Sequence, residues 1–97
     1  MTEKSAIRLE DIVCASRNQV SSRVGDEAAV LHLDRAVYFG LNPVGARIWE
    51  LLQKPIRLEQ VAATVSAEYD VDGEAARRDL LDLVGRLLIE GLVERCD

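Results

Sequence analysis

The chain has 97 residues, a length for one domain with a single core. Its net charge of −5 argues against nucleic acid as a partner, because that binding rests on Lys and Arg neutralising phosphates. No stretch approaches the roughly 20 apolar residues of a membrane span. Met1 to Glu10 is polar and lacks the apolar run of a signal peptide, so the expected location is cytoplasmic, with no membrane partner.

In chain order, residues 1–18 are expected to form a flexible N-terminal arm, and residues 19–97 the folded domain. Ile7, Leu9 and Ile12 could lie on the domain surface. From Gln19 to Leu41 the pattern is that of strands. Val20, Ser22 and Val24 alternate, and Gly25-Asp26 offers a turn. Ala29, Leu31 and Leu33 share one face of a second strand, and Asp34-Arg35 leads into a third, Ala36 to Leu41. Short connections imply antiparallel neighbours, hence a three-stranded meander. Its inner face is expected to carry Leu31, Leu33, Val37, Phe39 and Leu41.

The strand period gives way to a helical one at Asn42 without a linker. Asn42 suits an N-cap, its side-chain oxygen taking an orphan backbone N–H. Pro43 suits the first helical position. Val44, Ile48, Leu51 and Leu52 then follow at helical spacing, and the helix must stop before Pro55. A second helix is predicted over Leu58 to Glu68, with Val61, Ala62 and Val65 inward and no Ser, Thr, Asp or Asn cap at its start. Asp72 caps a third helix that runs to about Glu90, where Gly91 is a ready C′ residue. Leu92 and Val93 read as a short returning strand or wing. Strands followed by three helices give an α+β class, the frame of a small winged-helix domain.

In the third helix Ala76, Leu80, Leu83, Val84 and Leu87 form one stripe, enough to seat it on a core. Leu81 and Leu88 lie to one side of that stripe, with Arg77 between them in projection and Gly85 nearby. Such a flank can line a groove or simply widen the core contact. Arg77 and Arg78 sit early in the helix, where the dipole disfavours cations. Arg78 has Glu74 and Asp82 four residues away. Arg77 lacks such partners and is the better candidate for an acidic ligand, although a solvated arginine is the ordinary outcome.

Catalytic chemistry is not suggested. His32 stands alone on a predicted strand and reads as a surface residue. Cys14 and Cys96 form no Cys-x-x-Cys, so no metal or other cofactor is implied. A disulfide between them is one option, but a reducing compartment favours two idle thiols. The carboxylates look like caps, turns and solvated faces, and no nucleophile, base and oxyanion site occur in company.

Three readings fit this frame. In the first, the free edge of the third strand accepts an extended peptide, with the third helix as the other wall of a groove. Each backbone hydrogen bond nets about 0.5–1.5 kcal/mol. Four or five of them, with one or two buried apolar side chains, reach affinities of about micromolar. In the second, the third helix enters a DNA groove, which Glu74, Asp82 and Glu90 on its exposed face oppose. In the third, the same edges pair with a second copy to give a homodimer.

The segment Tyr38 to Leu52, then Tyr69-Asp70-Val71-Asp72, then Asp79-Leu80-Leu81 with Leu83-Val84 and Leu87, then Gly91-Leu92-Val93, resembles the PqqD-like family. That family comprises the peptide-recognition elements of pathways to ribosomally synthesised, post-translationally modified peptides. The resemblance covers roughly Val20 to Glu94, and Leu41 through Trp49 is its most specific part. It implies a winged helix-turn-helix with an N-terminal three-stranded antiparallel sheet followed by three helices, and a non-catalytic chaperone that holds the leader segment of a precursor peptide. The leader adds as a strand beside the third strand and packs on the third helix. Carried onto this sequence, the peptide-binding residues are Ala36, Val37, Tyr38, Phe39, Gly40 and Leu41, with Arg77, Arg78, Leu81, Gly85 and Leu88. The wording around Val44 to Trp49 is similar to the recognition proteins of lasso-peptide clusters, whose partners are a leader peptidase and a cyclase. A chaperone for a radical-SAM enzyme, as in pyrroloquinoline quinone synthesis, is the alternative.

Overall fold

The computed structural model describes residues 7–96. Nine elements follow in order: β1 (Ile12–Ala15), β2 (Gln19–Val24), β3 (Glu27–His32), β4 (Tyr38–Leu41), α1 (Pro43–Leu51), β5 (Ile56–Arg57), α2 (Leu58–Tyr69), α3 (Gly73–Ile89) and β6 (Val93–Arg95). They build two antiparallel three-stranded sheets, β2-β3-β4 and β5-β1-β6, around three helices. The α+β winged helix and the three-stranded meander are as the sequence pattern predicts; the second sheet was not foreseen.

Part of the expected arm, residues 1–6, lies outside the described residues. The rest is largely structural. β1 is the central strand of the second sheet, and Val13 within it is 0 % exposed. The segment before β1 also explains how α2 starts without a side-chain cap. The Leu58 N–H donates to the Asp11 carbonyl and the Glu59 N–H to the Leu9 carbonyl, so a neighbouring chain segment satisfies the orphan donors. The Cys14 and Cys96 sulfurs are joined in a disulfide between β1 and the residue following β6, in place of the idle thiols expected. A Glu94 carboxylate oxygen lies within 4.8 Å of both sulfurs, which are bonded to each other.

The parity of β3 differs from expectation. Ala28, Val30 and His32 face the core, while Leu31 and Leu33 are 41 % and 52 % exposed. The register explains this. Val30 lies opposite Phe39 and Ala28 opposite Leu41, and residues opposite one another share a face. Ala29-Leu31-Leu33 and Ala28-Val30-His32 satisfy the same period, so alternation alone could not choose between them. His32 is accordingly buried rather than superficial, and its Nδ1 accepts the N–H groups of Asp34 and Arg35 in the turn. Ala36, at φ +58°, takes the left-handed region and donates to the His32 carbonyl. The last strand therefore starts at Tyr38, two residues later than expected.

The β4–α1 junction forms as its residues dictate. The Asn42 side chain accepts the Gly45 N–H at 2.8 Å, with Pro43 beginning the helix. Gly45 is needed for closeness: a Cβ there would stand 3.2 Å from Asn42 Oδ1 and 3.3 Å from Leu41 Cδ2. Asn42→Ala should lower stability by about 1 kcal/mol in urea denaturation. Asp72 caps α3 by accepting the Glu74 and Ala75 N–H groups. At the far end Gly91, with φ +77°, closes a Schellman motif in which the Leu92 N–H donates to Leu87 and the Gly91 N–H to Leu88. The core joins Leu52, Leu58, Leu80, Leu87 and Leu92, all nearly or fully buried, with Trp49.

An exposed ion-pair network ties α1 to α2. Arg47 donates to both Glu68 oxygens and to Glu50, each at 2.9 Å. These bonds hold both carboxyls below the ordinary carboxylate range and raise the guanidinium. A carboxyl depressed on folding stabilises above its unfolded value, near 4.5, and that contribution is lost as pH falls through the folded value. The gap in melting temperature between the parent and Glu68→Gln should therefore narrow as pH drops from neutral to about 3.

Candidate functional site

β4 pairs with β3 on one side only, and among the described residues no strand covers its other edge. The identity of the free groups follows from the register. The His32 N–H donates to the Val37 carbonyl, which makes His32 and Val37 a hydrogen-bonded pair. Such pairs recur every second residue in an antiparallel ladder. Phe39 and Leu41 therefore spend their backbone groups on Val30 and Ala28. Tyr38 and Gly40 direct theirs away from the sheet, and both residues are exposed. Two N–H and two C=O groups thus line an unpaired edge.

That edge borders a groove of about 510 Å³ between β4 and α3. Its floor is apolar, built from Phe39, Leu41, Val44, Ile48, Leu80 and Leu83. Tyr69 and Val71, flanking the α2–α3 turn, line one end. Asp70 takes the left-handed region there, at φ +53°, and its N–H bonds back to the Ser66 carbonyl. The α3 rim carries Asp79, Asp82 and Arg86. The Arg86 guanidinium lies 5.5 Å from the centre of the Phe39 ring, a cation–π contact, and 3.9 Å from Asp82.

Of the residues expected to bind peptide, Phe39, Gly40 and Leu41 line this groove and Tyr38 presents the adjoining edge. Ala36 lies in the turn before β4, and Val37 is the half-buried residue leading into it. Arg77, Arg78, Leu81, Gly85 and Leu88 do not line it. Arg77 and Arg78 are exposed, whereas Leu81 and Leu88 are half-buried and packed against the core. The groove wall is instead the opposite flank of the same stripe, where Ala75, Asp79, Asp82, Leu83 and Arg86 fall at helical spacing. Sequence reasoning chose the flank with more leucine. Leu83, at the margin of the core stripe, was the available signal for the other side.

A small winged helix with a groove along one open sheet edge is the class of protein these features define. The chain belongs to the PqqD family: residues 27–93 match the family described as coenzyme PQQ synthesis protein D. Among solved structures it is similar to TbiB1, determined in complex with the TbiA(beta) leader peptide. That similarity has 41 % identity and a TM-score of 0.77, over 84 % of this chain and 94 % of that one. It also matches the solution structure of the PqqD truncation of Methylobacterium extorquens PqqCD, described as a functional, stand-alone recognition element for ribosomally synthesised and post-translationally modified peptides. There the TM-score is 0.80 at 19 % identity, over 97 % of this chain and 100 % of that one, which shows the shared fold. No curated protein sequence matches the chain.

Proposed function

We propose that the protein is a non-catalytic recognition element that binds the leader segment of a precursor peptide as a fourth strand on β4. The observation that carries this is the unpaired Tyr38–Gly40 edge set directly beside an apolar groove. Main-chain bonds to such an edge give affinity, and side chains entering the groove give specificity. TbiB1, 41 % identical, was solved with a leader peptide, which supports the same role here. The binding residues are Tyr38 to Leu41 together with Ala75, Asp79, Asp82, Leu83 and Arg86 of α3, in place of the Arg77, Leu81 and Leu88 flank.

Holding a leader this way raises the effective concentration of the attached core peptide at a partner enzyme. The partners we propose are the leader peptidase and cyclase of a cytoplasmic lasso-peptide pathway. The Val44 to Trp49 wording, similar to the recognition proteins of lasso-peptide clusters, supports this. The test is an amide-shift titration with the TbiA(beta) leader peptide and a scrambled control. Shifts centred on residues 38–41 and on 75, 79, 82, 83 and 86 are expected. Shifts centred on 77, 81, 85 and 88 would move the site to the other flank. Self-association through the edge would instead appear as a doubled mass without peptide.

A further inference from the structure

The charges on the groove rim are ordered along its length. Arg35 donates to the Ile89 carbonyl, so the C-terminal end of α3 meets the turn that leads into β4. The helix therefore runs antiparallel to the strand, which directs its N-terminal half toward the Asn42 end of the shared groove. Arg86 therefore stands at the Phe39 end, Asp82 in the middle, and Asp79 toward the Asn42 end.

These groups are not equally satisfied. Arg86 is held by the Phe39 ring and by Asp82. Asp79 has no cationic partner among the described residues, and Asp82 stands one helical turn away with the same charge. One cation against two carboxylates leaves the rim net negative, in a chain of net charge −5. A strand added to β4 directs alternate side chains toward α3.

We infer that the bound peptide carries a basic side chain opposite Asp79, at the Asn42 end of the groove, and is selected against an acidic one there. This rests on the leader-binding reading above and gives it a charge specificity. It also reverses the sign expected from Arg77 and Arg78, which lie off the groove. A lysine or arginine stem can lie on the apolar floor while its head meets Asp79. The long-range field adds to the encounter rate with a basic peptide and fades with salt.

The probe is the TbiA(beta) leader peptide with Lys or Glu placed singly at each position, titrated calorimetrically into the parent, Asp79→Asn and Asp79→Lys. The Asp79 side chain is exposed and has no hydrogen-bond or ion-pair partner among the described residues, so unchanged thermal melts are expected for both variants. At one position Lys should bind the parent about five-fold more tightly than Glu. That preference should vanish in Asp79→Asn, invert in Asp79→Lys and shrink at high salt. Equal Lys-to-Glu ratios in all three proteins at every position would overturn the inference while leaving strand addition intact. Failure of every peptide to bind the parent would overturn the leader-binding reading and this inference with it.

Discussion

Val13→Asp is expected to abolish cooperative folding. Val13 is completely buried in β1, the central strand of the second sheet, with β5 on one side and β6 on the other. A carboxylate there must either stay charged in an apolar site or be held neutral. Both are costly, and substitutions of this kind destabilise by about 4 kcal/mol or more. A domain of this size is stable by only about 5–15 kcal/mol, so much of the total is lost. The consequence spreads through the backbone. The Ala15 N–H donates to Leu52, the Ser16 N–H to Leu92 and the Cys96 N–H to Ile12, so β1 joins the end of α1 to the chain's C-terminal strand. Val20→Asp is the control. Val20 is 54 % exposed on the outer face of β2, and its replacement should change stability by no more than about 0.5 kcal/mol. Urea denaturation of the two variants checks both values. Equal midpoints would mean that β1 is dispensable, as a flexible arm would be.

Leu83→Asp should cost most of the peptide affinity, with a stability loss of about 1–2 kcal/mol that leaves the domain folded. Leu83 is half-buried, forming part of the groove floor while touching the core from one side. Losing one apolar contact with a guest side chain is worth about 1.5–3 kcal/mol, or roughly 10- to 100-fold in affinity. The new carboxylate also falls four residues from Asp79, adding like-charge repulsion of a few tenths of a kcal/mol, about the size of a helical ion pair. Leu81→Asp makes the comparison decisive. Leu81 is equally half-buried, but it packs on the core from the flank that the groove does not use. It should lower stability by about 1–2 kcal/mol and leave affinity within about three-fold. Calorimetric titration with the TbiA(beta) leader peptide distinguishes the two. Stronger loss in Leu81→Asp than in Leu83→Asp would restore the flank suggested by leucine spacing.

Local chemistry made the helical half of the fold legible in the sequence. Asn42-Pro43, Asp72 and Gly91 act as caps because each satisfies backbone groups within a few residues of itself. The second sheet was hidden for the converse reason. β5 has two residues and β6 three, and their partner β1 is distant in sequence from both, so Leu92-Val93 shows the returning strand but not what it pairs with, and nothing local announces β5. The α2 start was obscure because its cap is a pair of carbonyls from residues 9 and 11. At the site, the open edge of the meander's last strand could be read from strand order. Which flank of α3 faces it could not, because both flanks border the core stripe equally. That choice is made by how the helix crosses the sheet, a tertiary fact to which leucine content is a poor guide.

Amide exchange along β4 tests the central claim most directly, because the register assigns opposite fates to alternate residues. With saturating TbiA(beta) leader peptide, the Tyr38 and Gly40 N–H groups should slow by about ten-fold or more as they gain partners. Phe39 and Leu41, whose N–H groups already face β3, should change far less. Tight binding that leaves Tyr38 and Gly40 exchanging as in the free protein would show that no guest backbone completes this edge.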